Sequence, residues 1–399
     1  MTSTPTPQPH GKAWLARRAI EVGVSTVAEK VRPRPARRID EVPGTIGDIT
    51  CEWLTGWLCQ DVSGAAVTSF TSPGGSAGTS TRAALRVRYN AEGVAGGLPT
   101  ELFVKLASSY RQRVLLGSAN AQRGEVVFFN SLRPNIEMET PLGYGGAVDE
   151  RGWKSAVLME DIAATKGATF VEPIRPLERA QVEDLVANLA RMHGAMWEHS
   201  DLAALPKTPA DHFATISAFL DMRKRCHVGM ERAKDVIAPR IHGQADRLWE
   251  GTRRALELAT HSMPRTLLHG DAHVGQSYAT ADGRMGWTDW QLAMQGGWAY
   301  DFAHFLSSAC EPDDRRQWEH DLLELYLERL ANHGGKPPAL EEARLDYRQQ
   351  LFYPWSAWAF TIGRAAYQPR MQPDDYSLAI LHRMSHAIID NEAFSAIGL

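Results

Sequence analysis

The sequence predicts an α+β chain, with a small strand-rich N-terminal part carrying an antiparallel sheet and a larger, mainly helical C-terminal part. Three observations carry this. Short alternating or apolar runs, VSGAAVTSF, TRAALRVRY and ELFVKLA, are separated by glycine-rich breaks, as half-buried strands joined by turns would be. From Leu177 to Trp197, apolar residues recur at 182, 185, 189, 192 and 196, a spacing that lines one face of a long helix. Between these regions SAVLMED runs apolar and stops at two acids, so the change of character falls near Glu160.

The remaining elements follow in order. Residues 1–47 form a basic N-terminal extension, in which Ala13–Ala28 suits a short basic helix and VRPRPARR a solvated surface segment. Residues 48–159 form the N-terminal lobe. Asp48 is placed to cap a helix over ITCEWLTGWLCQ that aligns Ile49, Trp53, Leu54 and Leu58. The sheet is expected to end near Lys105, and Gln122–Leu132 reads as helix. In the C-terminal lobe, 160–399, further helices are expected at Trp318–Leu330, stopped by NHGG, near Leu345–Gly363, and at Tyr376–Ile389.

Composition narrows the function. The 399 residues are 44% hydrophobic with a net charge of −4, which suits a globular chain with sizeable cores. Only the first 40 residues are basic, eight Lys/Arg against three acids, leaving −9 for the rest, so nucleic acid is not an expected partner. Four cysteines, at 51, 59, 226 and 310, form no C-x-x-C pair, as befits a reducing cytoplasm. No apolar run approaches the roughly 18 residues of a membrane span, and the N-terminus has no continuous apolar export segment. Oligomeric state is not legible.

Several motifs offer chemistry. The Gly-Lys pairs at 11–12 and 335–336 precede Ala and Pro, which excludes a Walker A loop. Gly74, Gly75 and Gly78 lie in a predicted turn where bare backbone N–H groups could approach phosphates, although a plain hairpin turn is the favoured explanation. The same residues spell G-x-S-x-G, but a nucleophile elbow must exit into a helix, and TRAALRVRY reads as a strand. His269-x-Asp271-x-His273 has ligand types suited to zinc, the requirement of a metallohydrolase, yet no second histidine-rich motif accompanies it. His193, on the apolar stripe, reads as a satisfied core histidine.

Phosphoryl transfer from ATP demands a lysine for the phosphates, ligands for Mg²⁺ and a carboxylate to orient the attacking hydroxyl. Lys105 ends the apolar strand LFVK, and Glu125 follows 20 residues later on the predicted helix. Asp271 follows an apolar strand, Gln276 offers an amide oxygen, and Asp289 follows GWT after the turn ADGR. The two acids are therefore expected at the mouths of adjacent short strands.

HGDAHVGQ, then TDWQ, then YDFAHFL resembles the aminoglycoside phosphotransferase and choline kinase superfamily, most closely its ecdysteroid-kinase-like branch. The likeness extends over roughly residues 48–390 through LFVKL, EVVFF, VLMEDI and ARMHGAMW. It implies a protein-kinase-like bilobal fold and ATP-dependent, Mg²⁺-assisted transfer of the γ-phosphoryl group to a hydroxyl of a small-molecule acceptor. By this resemblance Lys105 binds phosphate, Glu125 pairs with it, Asp271 is the catalytic aspartate, and Asp289 and Gln276 hold the metal. His269 and Asp301 brace the site, and Met159, Glu160 and Ile162 belong to a hinge pairing adenine through its backbone. Gln276 departs from the family's asparagine, which leaves a nucleotide-binding pseudokinase as the alternative. The acceptor's identity is open. Tyr347, Phe352, Tyr353, Trp355, Trp358, Phe360 and Tyr367 would suit a bulky apolar molecule, or simply the core. Glu311, Asp313 and Asp314 would suit a cationic one, or simply a helix N-terminus.

Overall fold

The glycine-rich breaks of the early sequence become the turns of a five-stranded antiparallel sheet. The structure, a computed structural model, describes residues 11–399 apart from 206, 367 and 369. The chain divides into two compact units.

Among the described residues, the smaller unit contains 11–135 together with Pro141–Ala168. Its elements are α1 (Lys12–Val31), α2 (Cys51–Leu58), β1 (Val67–Ala77), β2 (Thr81–Tyr89), α3 (Ala91–Ala95), β3 (Glu101–Leu106), α4 (Tyr110–Ser118), α5 (Gln122–Val127), β4 (Gly143–Asp149), β5 (Lys154–Glu160) and α6 (Ile162–Lys166). The strand order is β1-β2-β3-β5-β4. Alternation on β2 buries Ala83, Leu85, Val87 and Tyr89 beside Leu102, Val104, Leu106 and Leu158, and Trp53, Leu54 and Leu58 of α2 close over them. Period-2 burial on the strands and a 3–4 spacing on the helix thus meet in one core.

Four expectations are corrected here. The cap of α2 is Thr50, whose hydroxyl accepts the Trp53 N–H at 3.1 Å, while Asp48 closes a 3₁₀ turn before it. The sheet continues past Lys105 through β4 and β5; GYGGAVD is poor in β-forming residues and gains its place by pairing with SAVLME. Gly74 and Gly75 lie within β1 rather than in the turn, opposite Ala84 and Ala83. A Cβ at Gly75 would stand 2.6 Å from the Arg82 carbonyl oxygen. The N-terminal segment is not wholly solvated: α1 buries Val22 and Thr26, and Glu29 pairs with the buried Arg113 at 2.7 Å.

The larger unit contains Ile136–Thr140 and Thr169–Leu399, so the units divide after Ala168 rather than at Glu160. Its elements are β6 (Thr169–Phe170), α7 (Arg179–Ala195), α8 (Pro209–Leu220), α9 (Met222–Ala233), α10 (Ala245–His261), β7 (Arg265–Leu268), β8 (Ser277–Ala279), β9 (Met285–Trp287), β10 (Met294–Gly297), α11 (Ala299–Ala309), α12 (Pro312–Asn332), α13 (Leu340–Gln349), α14 (Phe352–Ile362), α15 (Asp374–Asp390) and α16 (Ala393–Ala396). The expected helix near Leu345–Gly363 is two, broken at Gln350–Leu351. Pro312 opens α12 earlier than expected, where its missing N–H costs nothing. Its first turn carries Asp313 and Asp314 as dipole complements, and Glu311 pairs with Arg383 at 2.6 Å.

Helices α9 and α14 cross with their backbones nearly touching. A Cβ on Gly229 would stand 1.9 Å from the Ala359 carbonyl oxygen, and one on Gly363 1.9 Å from that of Arg225. Gly229→Ala is expected to lower stability by about 2 kcal/mol or more through overpacking, read as a fall in the thermal melting midpoint.

Candidate active site

The site of the larger unit is built from one stretch, residues 265–297. Strand β7 pairs with β10, and β8 forms a hairpin with β9 that extends onto β6. Asp271 follows β7 by three residues and Asp289 follows β9 by two. Their strands belong to separate ribbons, so the expected adjacency of the two strands is corrected. The acids are joined instead through histidine.

His269 makes that join. Its Nδ1 accepts the Asp271 N–H at 3.3 Å, and its Nε2 donates to the Thr288 carbonyl oxygen at 2.9 Å. The ring lies against Trp287 and Trp290, with centroids 5.4 and 4.6 Å away. The backbone of Gln276 adds a second tie, its carbonyl accepting the Thr288 N–H at 2.9 Å. Both ring nitrogens of His269 are thus engaged, and His273 Nδ1 accepts the Gly275 N–H at 3.0 Å. The zinc reading of this motif finds no ligand set: among the described residues no three His, Cys, Asp or Glu side chains form a metal-holding group.

Gly270 and Asp289 occupy left-handed backbone, at φ 83 and 65°. At Gly270 a Cβ would meet the Leu292 carbonyl oxygen at 2.1 Å, so only glycine fits. Asp289 has a side chain and pays the conformational cost of that region, a local strain that positions its carboxylate at the turn into Trp290–Leu292.

Asp301, on α11, holds the loop from below. Its fully buried carboxylate accepts the His269 N–H at 2.6 Å and the Gly270 N–H at 3.0 Å. His193 Nε2 lies 3.3 Å from the same group, and His193 Nδ1 is 2.6 Å from the Tyr326 hydroxyl. His193 is the satisfied core histidine its place on α7 predicts.

Asp271 itself is partly open, its side chain 31% exposed. Burial of the carboxyl, reinforced by the charges of Asp289 and Asp301, pushes its pKa up to about 7, against a lowering contribution from the Gln276 amide, whose Nε2 donates to Oδ2 at 3.1 Å. His273 stands 3.8 Å from Asp271, and burial drives its pKa down to about 3, so it is neutral at physiological pH. Aromatic rings adjoin: Tyr300 stacks on Tyr353 at 4.8 Å, and Trp358 meets His273 edge-on at 4.9 Å. Tyr347, Phe352, Trp355 and Phe360 are buried core residues, and Tyr367 lies outside the described residues. Tyr300 and His304 were read in the sequence only as part of YDFAHFL; among the described residues neither ring nitrogen of His304 has a hydrogen-bond partner.

In the smaller unit, Lys105 on β3 meets Glu125 on α5. Its Nζ is 3.1 Å from both carboxylate oxygens, and both side chains are buried. Of the glycines, Gly74 and Gly78 face open space. Met159 and Glu160 end β5, and Ile162 opens α6. The Glu160 N–H is taken by the Leu142 carbonyl at 2.8 Å, and the Asp161 N–H by that of Glu101 at 3.2 Å. The Glu160 carboxylate accepts from Leu142 N–H, Thr165 and Lys166.

The larger unit thus carries a loop with a partly open carboxylate and a second, strained aspartate, and the smaller unit carries a buried lysine–glutamate pair. The family model of the phosphotransferase enzyme family, APH, matches residues 93–345, and the chain belongs to that family. No curated protein matches the chain. Similar solved structures include a macrolide 2′-phosphotransferase from Brachybacterium faecium, 16% identical over 80% of this chain and 93% of that one, with a TM-score of 0.40. A choline kinase from Streptococcus pneumoniae is 12% identical over 81% and 94%, with a TM-score of 0.42. A Plasmodium vivax ethanolamine kinase is 12% identical over 80% and 81%, also at 0.42.

The raised pKa of Asp271 has a consequence for stability. The folded state keeps this carboxyl protonated between about pH 4 and 7, where the unfolded chain releases the proton, so stability falls as pH rises through that window. Asp271→Asn is expected to raise stability above pH 7 by about 1–2 kcal/mol, allowing for solvent screening, and to leave it nearly unchanged near pH 4. Denaturant melts at the two pH values check this.

Proposed function

We propose that the chain is an ATP-dependent kinase of the ecdysteroid-kinase-like branch that moves the γ-phosphoryl group of ATP to a hydroxyl of a small molecule. The supporting observation is the placement of Asp271, a carboxylate poised near neutrality on a loop anchored by Asp301 and tied by His269 to the Asp289 turn. In this reading the acceptor oxygen bonds to the γ-phosphorus, the bond to the ADP oxygen breaks, and the hydroxyl proton passes to Asp271. Lys105, held straight by Glu125, neutralises phosphate charge. The N–H groups of Glu160 and Asp161 being committed, adenine pairing would fall to other backbone groups of the 159–162 segment.

Asp289 and Gln276 would hold Mg²⁺. The residues fit a hard cation: Asp289 is a carboxylate whose charge already raises the proton affinity of Asp271, and Mg²⁺ asks a protein for one or two carboxylates rather than a full cage. When bound, the ion supplies positive charge to the phosphate oxygens. The Gln276 amide donates its N–H to Asp271 and retains its oxygen for a cation.

One observation favours a second reading, a nucleotide-binding pseudokinase: Gln276 stands where the resembling family carries asparagine, and its amide engages Asp271. The rings of Tyr300, Tyr353 and Trp358, like the other aromatics of this region, are buried and pack behind the loop, so the acceptor's class stays open.

ATP consumption across a panel of alcohols, with and without Mg²⁺, tests the proposal. Asp271→Ala is expected to cut transfer by about 10²-fold or more while keeping a nucleotide-dependent melting shift; unchanged transfer in that variant would remove Asp271 as the base. Gln276→Asn is expected to retain or raise Mg²⁺-dependent transfer. Nucleotide binding without turnover, in both wild type and Gln276→Asn, would establish the pseudokinase.

A further inference from the structure

Helix α1 presents two opposite faces. One is packed: Val22 and Thr26 are buried, Arg113 reaches Glu29 at 2.7 Å, and Arg18 donates to the carbonyls of Glu150 and Arg151. The other carries Ile20, Val24, Val27 and Val31, which are 68, 66, 61 and 81% exposed. At about 100° per residue these four fall within roughly 60° of the helix circumference, nearly opposite Val22 and Thr26, in a stripe about 16 Å long. Single exposed apolar residues are ordinary, but four β-branched side chains aligned on an anchored helix form a continuous strip.

Charge indicates what would cover it. Lys30 flanks the stripe and is exposed, Arg17 on the other side is exposed but held by Glu21, and the chain leaving α1 displays Arg32, Arg34 and Arg37, with Arg38 paired to Asp40. Glu21, the acid nearest the strip, is paired with Arg17 at 2.9 Å. The first 40 residues carry a balance of +5 against −9 in the remainder. An apolar stripe edged by cations and followed by a basic run matches a surface that is apolar below and anionic above. Pairing with a second copy would bring two such basic segments together.

We propose that α1 is a peripheral anchor that lies on an anionic phospholipid bilayer, its valine face at the acyl boundary and its cations among the headgroups. This surface is distinct from the phosphotransfer residues and stands independently of the reading given to them. No helix among the described residues is long and apolar enough to cross a membrane; the contact is with the surface. Long cationic side chains at the edge of the strip extend to the headgroup level while their stems remain on the apolar side.

Flotation of the full chain with phosphatidylcholine vesicles, with and without about 30% phosphatidylglycerol, tests this. The chain is expected to float with the anionic vesicles only, and to be released as salt rises to about 0.5 M. Val24→Gln with Val27→Gln should reduce flotation by about tenfold while leaving the melting midpoint unchanged, since both positions are exposed. Arg32→Gln with Arg34→Gln should reduce it by about fivefold per charge. Absence of flotation, equal flotation with neutral vesicles, or flotation unaffected by the valine changes would each overturn the proposal. So would a dimer seen by light scattering that Val24→Gln with Val27→Gln dissociates, which would assign the strip to a second copy.

Discussion

A single buried carboxylate sets the larger unit's site. Asp301 accepts two consecutive backbone N–H groups, those of His269 and Gly270, at 2.6 and 3.0 Å. Those donors follow the last residue of β7, where sheet pairing has ended, and would otherwise be buried without acceptors, at about 1–3 kcal/mol each. Meeting them forces the chain into the left-handed turn at Gly270 and delivers Asp271 to a defined place. The cost of burying Asp301 is met by these bonds and by His193, itself fixed by Tyr326. The core of α7, α11 and α12 therefore extends by hydrogen bonds into the loop that carries the chemistry.

His269 extends the same logic sideways. By accepting from Asp271 N–H and donating to Thr288, it spans two loops whose strands belong to different ribbons. The two tryptophans against its ring exclude water from these bonds, which strengthens them. The consequence is electrostatic. Burial of the Asp271 carboxyl, with the charges of Asp289 and Asp301 adding to it, raises it toward neutrality, and such a site favours a proton or a divalent cation.

The smaller unit solves a separate problem, keeping a long flexible cation in place. A central strand and a helix present Lys105 and Glu125 to one another with both side chains buried, so neither can leave without exposing an unpaired charge to the interior. Below Lys105 the sheet is ordinary alternation closed by α2. On the same unit, α1 spends half its surface on packing and leaves the other half apolar, an asymmetry that core formation alone does not require.

Local periodicity carried the sequence a long way. Alternation defined β1–β3, a 3–4 spacing defined α7, and the placement of Lys105, Glu125, Asp271 and Asp289 at the ends of apolar runs marked the residues of interest, because strand and helix periods and polar punctuation are properties of adjacent residues. What adjacency does not encode was settled by packing. GYGGAVD became a strand only because SAVLME offers it an edge, and Gly74 and Gly75 joined β1 because β2 runs opposite them. Thr50 rather than Asp48 caps α2, since its hydroxyl reaches the Trp53 N–H. The bracing of His269 and Gly270 by Asp301 spans about thirty residues, and the exposure of one face of α1 depends on which side meets the sheet unit. Both are decided by burial, which no stretch of sequence expresses until the distant partner that removes the water is in place.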